Sequence, residues 1–146
     1  VLSGTASGLE AAGPVLKEAG ARRVIGLKVS GPFHSPLMSE ARDRFADVLA
    51  GVAFADPQKP VYSNVTGTLI NTGEEARGLC ADQLVKPVRW VDEETLIARD
   101  DYGELLEVGP GEVLCGLWRA FVKANDDITT PCLPAGTADH IATITV

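Results

Sequence analysis

The sequence predicts an α/β fold with a largely parallel sheet, and three observations lead there. Apolar residues recur at spacings of three and four in several segments that open on capping residues and close on Gly or Pro. Between them lie short apolar or alternating runs of strand length. The two kinds of segment alternate along the chain, without internal repeats or low-complexity stretches. At 146 residues, 45% of them hydrophobic, the chain is long enough for one domain with a real core, burying roughly 70% of its unfolded surface.

Val1–Ser3 reads as the end of a strand. Residues 5–20 read as a helix with Leu9, Ala12, Val15 and Leu16 on one side, kinked or restarted at Gly13-Pro14 and closed by Gly20 at a C-cap position. Residues 22–30 alternate, placing Ile25, Leu27 and Val29 on one face of a strand. Strand, helix and strand together read as half of a small α+β subdomain. After Gly31-Pro32, Ser35 suits an N-cap and Pro36 the first helical position. Leu37, Met38, Ala41, Phe45, Leu49 and Val52 continue an amphipathic helix. Residues 59–65 read as a buried strand. Thr72-Gly73-Glu74-Glu75 is a capping box for a helix that Pro87 closes. Trp90–Ala98 is a short helix, 104–109 a strand, and 112–124 a helix with a broad apolar face. ITTPCLP (128–134) and HIATITV (140–146) read as final strands.

A net charge of −7 argues against broad nucleic-acid binding or docking on an anionic membrane. No apolar run approaches the ~20 residues of a membrane span. Cys80, Cys115 and Cys132 are dispersed and odd in number, as reduced thiols of a cytoplasmic protein would be. With the two histidines far apart, no metal site is expected. The sequon Asn64-Val65-Thr66 lacks a signal peptide to give it meaning. The chain opens on an apolar strand pattern, VLSG, rather than a polar lead-in, which implies a portion of a longer polypeptide.

His34 is the residue that most invites chemistry. One reading is an imidazole that satisfies a turn or packs at a helix start. The other is a general base, because a following helix N-terminus disfavours imidazolium and a neutral ring can take a proton. A catalytic histidine needs its second ring nitrogen held. The Gln83 carbonyl could do this: its helical donor would be the N–H of residue 87, and Pro87 has none. That carbonyl could equally meet water. No serine stands in a G-x-S-x-G pattern, Ser30 and Ser35 are too local to His34 to act as nucleophiles, and Cys115 sits in a core-like helix pattern as packing. The Gly-rich run at 109–111 lacks the third glycine of a nucleotide fingerprint, and Pro110 and Glu112 disfavour a phosphate, so it reads as a strand-to-helix turn. Arg22, Arg23 and Lys28 form a local basic patch, either a solvated edge or a dock for an acidic partner.

VLSG at the start, then LKVSGPFHSPLM, PVYSNVTG, QLVKPVRW and LLEVGPGEVL in order resemble the C-terminal half of the malonyl-CoA:acyl carrier protein transacylase family, relatives of the acyltransferase domains of polyketide and fatty acid synthases. The likeness fades after about residue 125. It implies the C-terminal part of an α/β-hydrolase-like large subdomain (31–146) and part of an inserted ferredoxin-like small subdomain (1–30). It implies that His34 is the catalytic base and acid, oriented by the main-chain carbonyl of Gln83. Phe33 would select malonyl over methylmalonyl, a discrimination worth ~1–3 kcal/mol. Asn64 would line the pocket, and Arg22, Arg23 and Lys28 would face the acidic acyl carrier protein. Malonyl-CoA is then the substrate and no cofactor is needed. The family's nucleophile elbow, oxyanion glutamine and carboxylate-pairing arginine would lie on an upstream half of the same polypeptide or on a separate chain, so this chain alone would transfer nothing. A fragment that binds a carrier protein, or plays a structural part, without catalysis is the competing reading.

Overall fold

The computed structural model describes residues 1–144 and divides the chain into two compact units, Val1–Arg89 and Trp90–Val146.

In the first unit, α1 (Ala6–Glu18) starts at Thr5, whose hydroxyl accepts the Gly8 N–H. It ends in a Schellman arrangement: Gly20 takes φ +96°, the Gly20 N–H donates to Lys17 and the Ala21 N–H to Leu16. The helix neither stops nor restarts at Pro14, which lies inside it. None of its residues is buried. A 3₁₀ turn (Pro36–Met38) leads into α2 (Ser39–Ala50), which packs on α3 (Gly73–Asp82). Arg42 of α2 donates to Asp82 of α3 through Nη2 and Nε at 3.0 and 3.2 Å. The capping box at α3 forms with one partner shifted. The Thr72 hydroxyl accepts from the Glu75 N–H, and the Glu75 carboxylate reaches back to the N–H of Asn71 rather than Thr72.

Three expected strands are absent from this unit. Residues 1–3 and 22–30 make no ladder among the described residues, and Ile25, Leu27 and Val29 are each about two-thirds exposed. Alternation marks a strand only when a neighbour supplies the ladder hydrogen bonds, and none does here. Arg22, Arg23 and Lys28 are therefore exposed but do not share a strand face. Residues 59–65 are not a buried strand. They enter a small hairpin closed by one antiparallel bridge, Tyr62 to Leu69, with Gly67 at φ +71°. The Ser63 hydroxyl accepts the N–H groups of Val65 and Thr66, a local turn that competes with extension.

The second unit holds α4 (Trp90–Arg99), β1 (Leu105–Glu107), α5 (Val113–Lys123), β2 (Cys132–Pro134) and α6 (Ala138–Thr143). β1 and β2 pair in parallel, Leu106 opposite Leu133, with α5 as the crossover between them. Cys115, Trp118 and Ala135 form its buried core, and the Trp118 indole donates to the Thr130 carbonyl at 2.8 Å. The segment 140–146 does not open as a strand. Thr137 caps α6 by accepting the His140 N–H, and helix continues to Thr143. Residues 145–146 lie outside the described residues. The 108–112 segment is the strand-to-helix turn its sequence implies, with Gly109 and Gly111 both at positive φ.

Candidate active site

The GPFHSPLM loop is shaped by its own small residues. The Ser35 hydroxyl, buried, donates to the Pro32 carbonyl at 2.6 Å instead of capping the helix that follows. That turn holds His34 in the left-handed region, φ +61°. Few non-glycine residues adopt this conformation, and such positions cluster where geometry is over-determined by the surroundings.

The surroundings here are the four residues after α3. The His34 N–H donates to the Leu84 carbonyl at 2.9 Å. Its Nδ1 lies 3.0 Å from the Gln83 carbonyl and 3.1 Å from that of Lys86. Carbonyls only accept, so Nδ1 carries the proton and donates to both. In the neutral ring the lone pair therefore sits on Nε2. The side chain is exposed, and Nε2 has no hydrogen-bond partner among the described residues. One face of the imidazole is fixed, and the other is open toward solvent and ready to accept a proton.

The same segment holds a second candidate. The Arg89 N–H donates to the Asn64 carbonyl at 2.7 Å, so His34 and the 61–70 hairpin both anchor on residues 83–89. The Asn64 side chain is exposed. Phe33, partly exposed, lies beside Gly31, where an added Cβ would meet its ring at 3.5 Å. Arg22, Arg23 and Lys28 are exposed and make no ion pair among the described residues. Sequence reasoning missed the Leu84 and Lys86 carbonyls. A signal for Lys86 existed, since a residue before proline is turned out of the helical region. None existed for Leu84, whose role depends on where His34 arrives. Ser35 is not available as an attacker, its hydroxyl being engaged with Pro32.

Comparison with known proteins decides the family. The malonyl-CoA:acyl carrier protein transacylase of Bacillus subtilis is 39% identical over 117 residues, 80% of this chain and 37% of that protein. The acyl carrier protein S-malonyltransferase of Vibrio cholerae superposes with a TM-score of 0.86 at 34% identity, over 94% of this chain and 43% of its own. The chain belongs to the malonyl-CoA:acyl carrier protein transacylase family. A further solved relative is a malonyl transacylase in complex with a type II polyketide synthase acyl carrier protein, 38% identical with a TM-score of 0.85 over 95% of this chain. No family model matches the chain. It spans less than half the length of these transacylases. The α/β acyltransferase fold expected from the sequence is thus the observed one, in part of its full extent. Among the described residues no helix is long and apolar enough to cross a membrane, and no cluster of His, Cys, Asp and Glu could hold a metal ion.

Proposed function

We propose that these residues are the histidine-bearing part of a cytoplasmic malonyl transferase, moving a malonyl group from malonyl-CoA to the thiol of an acyl carrier protein in fatty acid or polyketide synthesis. The observation that carries this is the pair of carbonyls on Nδ1 of His34, which leaves the Nε2 lone pair free. The nucleophilic serine would come from the portion of the transacylases that this chain does not span. His34 Nε2 takes the proton from that serine as its oxygen attacks the thioester carbonyl. The imidazolium then protonates the departing coenzyme A sulfur. In the second half, the ring takes the carrier thiol's proton as its sulfur attacks the malonyl-serine ester, and returns a proton to the serine oxygen. Atoms balance over this ping-pong cycle without a cofactor. The Gln83 and Lys86 carbonyls replace the acid of a Ser-His-Asp set. They carry no full charge, but their dipoles favour the imidazolium that forms.

Phe33 is assigned to acyl selectivity, Asn64 to the pocket wall, and Arg22, Arg23 and Lys28 to the carrier protein. Residues 1–30 are assigned to the small subdomain and 31–146 to the large one. The apolar residues left open, Ile25, Leu27, Val29, Val108 and Val113 among them, fit a chain that packs against further polypeptide. The 146 residues alone are expected to be inactive.

His34→Asn in the full-length protein tests the reading, because asparagine tolerates left-handed backbone but cannot serve as this base. Malonyl transfer is expected to fall by about 10²–10⁴-fold while carrier-protein binding persists. Unchanged transfer would overturn the catalytic assignment and leave a binding or structural role.

A further inference from the structure

We propose that Pro87 is a positioning residue for His34, acting by what its backbone lacks. This deepens the reading of His34 as the base and rests on it. The backbone after α3 leaves one carbonyl without its helical donor. The Gln83 N–H donates to the Leu79 carbonyl and the Lys86 N–H to the Asp82 carbonyl, each at 2.9 Å and four residues back, while between them the Leu84 and Val85 N–H groups tighten to the Ala81 and Asp82 carbonyls, three residues back. The next rung in the series would run from residue 87 to the Gln83 carbonyl. Proline has no N–H, and at that vacant rung His34 Nδ1 makes its 3.0 Å contact.

Proline acts a second time through its neighbour. Its ring disfavours helical backbone at the residue before it. That residue is Lys86, whose carbonyl turns to His34 Nδ1 at 3.1 Å. Two separate consequences of one proline thus converge on one ring nitrogen. An ordinary residue at 87 would add a competing donor at the Gln83 carbonyl and let Lys86 continue the helical turn. A carbonyl oxygen has two lone pairs, so the competitor would share it rather than evict His34. The expected effect is a weakened preference between ring tautomers. With a poorer acceptor at Nδ1, part of the population moves the proton to Nε2, where it blocks proton acceptance from a nucleophile.

The test is Pro87→Ala in the full-length protein, read by ¹⁵N NMR of histidine-labelled material and by steady-state malonyl transfer. The unaltered protein should show His34 as one neutral tautomer protonated at Nδ1. Pro87→Ala should show a mixture and lower kcat by about three- to tenfold, the range one net hydrogen bond supports, with KM unchanged. A purely structural role would not move the tautomer signal. Should Pro87→Ala fail to fold, N-methylalanine placed at 87 by semisynthesis decides, since it lacks the N–H and its N-methyl carbon stands where the proline Cδ crowds the residue before it. Retention of the single tautomer and of kcat there supports the proposal, and loss of either overturns it. A Pro87→Ala protein with the unaltered tautomer and kcat also overturns it. If instead His34→Asn leaves transfer intact, the base reading fails while the tautomer shift remains readable on its own.

Discussion

Glu107, the last residue of β1, holds Cys115 at the start of α5. Its carboxylate accepts the Cys115 N–H at 2.8 Å through Oε2 and the Leu114 N–H at 3.1 Å through Oε1. A strand residue thus satisfies two of the donors that a helix start leaves open, and its charge sits at the positive end of the helix dipole. The Cys115 N–H bond leads in holding the carboxyl below its usual range. A depressed acid stabilises the fold above its unfolded value, about 4.3, and loses that contribution as pH falls through the lower folded value. Glu107→Gln should therefore lower the thermal midpoint at neutral pH. The gap from the unaltered protein should narrow once the pH falls below the unfolded value of about 4.3 and close below the lower folded value, where the unaltered carboxyl also protonates. A gap independent of pH would show that shape, not charge, matters there.

Glu93 and Glu94 in α4 behave in the opposite sense. Both are buried, at 4% and 3% exposure, and in each Oε1 has no hydrogen-bond partner. Burial raises both carboxyls above the usual glutamate range. A raised acid binds its proton first in the folded state, so its cost to stability is present at neutral pH and fades as pH falls. Glu93→Gln and Glu94→Gln should each raise the urea midpoint at pH 7 and have less effect at pH 5. A lowered midpoint at pH 7 would instead mean that the carboxylates meet a cation there.

Cysteine reactivity should follow the same unit's packing. Cys115 is fully buried, with burial pushing its thiol up to about 12. Its sulfur contacts that of Cys132, which is partly exposed, while Cys80 is exposed on α3. Since the thiolate is the reactive form, native alkylation at pH 8 should modify Cys80 first and Cys132 later. Cys115 should wait for unfolding. Mass mapping of a time course checks the order, and early labelling of Cys115 would contradict it.

What the sequence disclosed depended on how local the cause was. The Gln83 carbonyl could be singled out because proline's missing N–H is a covalent fact, readable without a fold. Gly20 and Thr72 were legible for the same reason, as caps act within a few residues. The strand at 22–30 misled because alternation describes only half of a strand, the other half being a neighbour. The hairpin at 61–70 misled because Ser63 ties down its own next residues, a turn that an apolar run conceals. That His34 meets residues 83–86 at all is a tertiary event, separated by 49 positions from Gln83, and no local pattern contains it.

His34 itself should show its backbone in a stability series. Left-handed geometry costs roughly 1–2 kcal/mol for most residues, least for glycine and most for β-branched side chains. His34→Gly loses the Nδ1 bonds but relieves the φ of +61°. His34→Val loses the same bonds and aggravates the backbone. The valine variant should be about 2 kcal/mol less stable than the glycine variant in urea unfolding. Equal stabilities would show that the loop relaxes its φ once the imidazole is gone.

Two glycines of α3 should respond oppositely to the same change. Gly73 opens the helix with its N–H donating to the Asp56 carboxylate at 2.8 Å, and the backbone of Phe54 and Ala55 fills the space a side chain there would need. A Cβ there would collide with the Phe54 carbonyl, which is backbone and cannot rotate away. Gly78 is exposed in the middle of the same helix, with nothing within 4 Å of an added Cβ. Gly73→Ala should therefore destabilise by about 1–3 kcal/mol, the usual cost of overpacking. Gly78→Ala should stabilise by about 0.5–1 kcal/mol through helix propensity alone. Paired denaturant titrations test the contrast, and the sign of each change carries the argument. A tolerated Gly73→Ala would mean that the 54–56 segment shifts freely. A destabilising Gly78→Ala would mean that a surface left open among these residues is covered in the full protein.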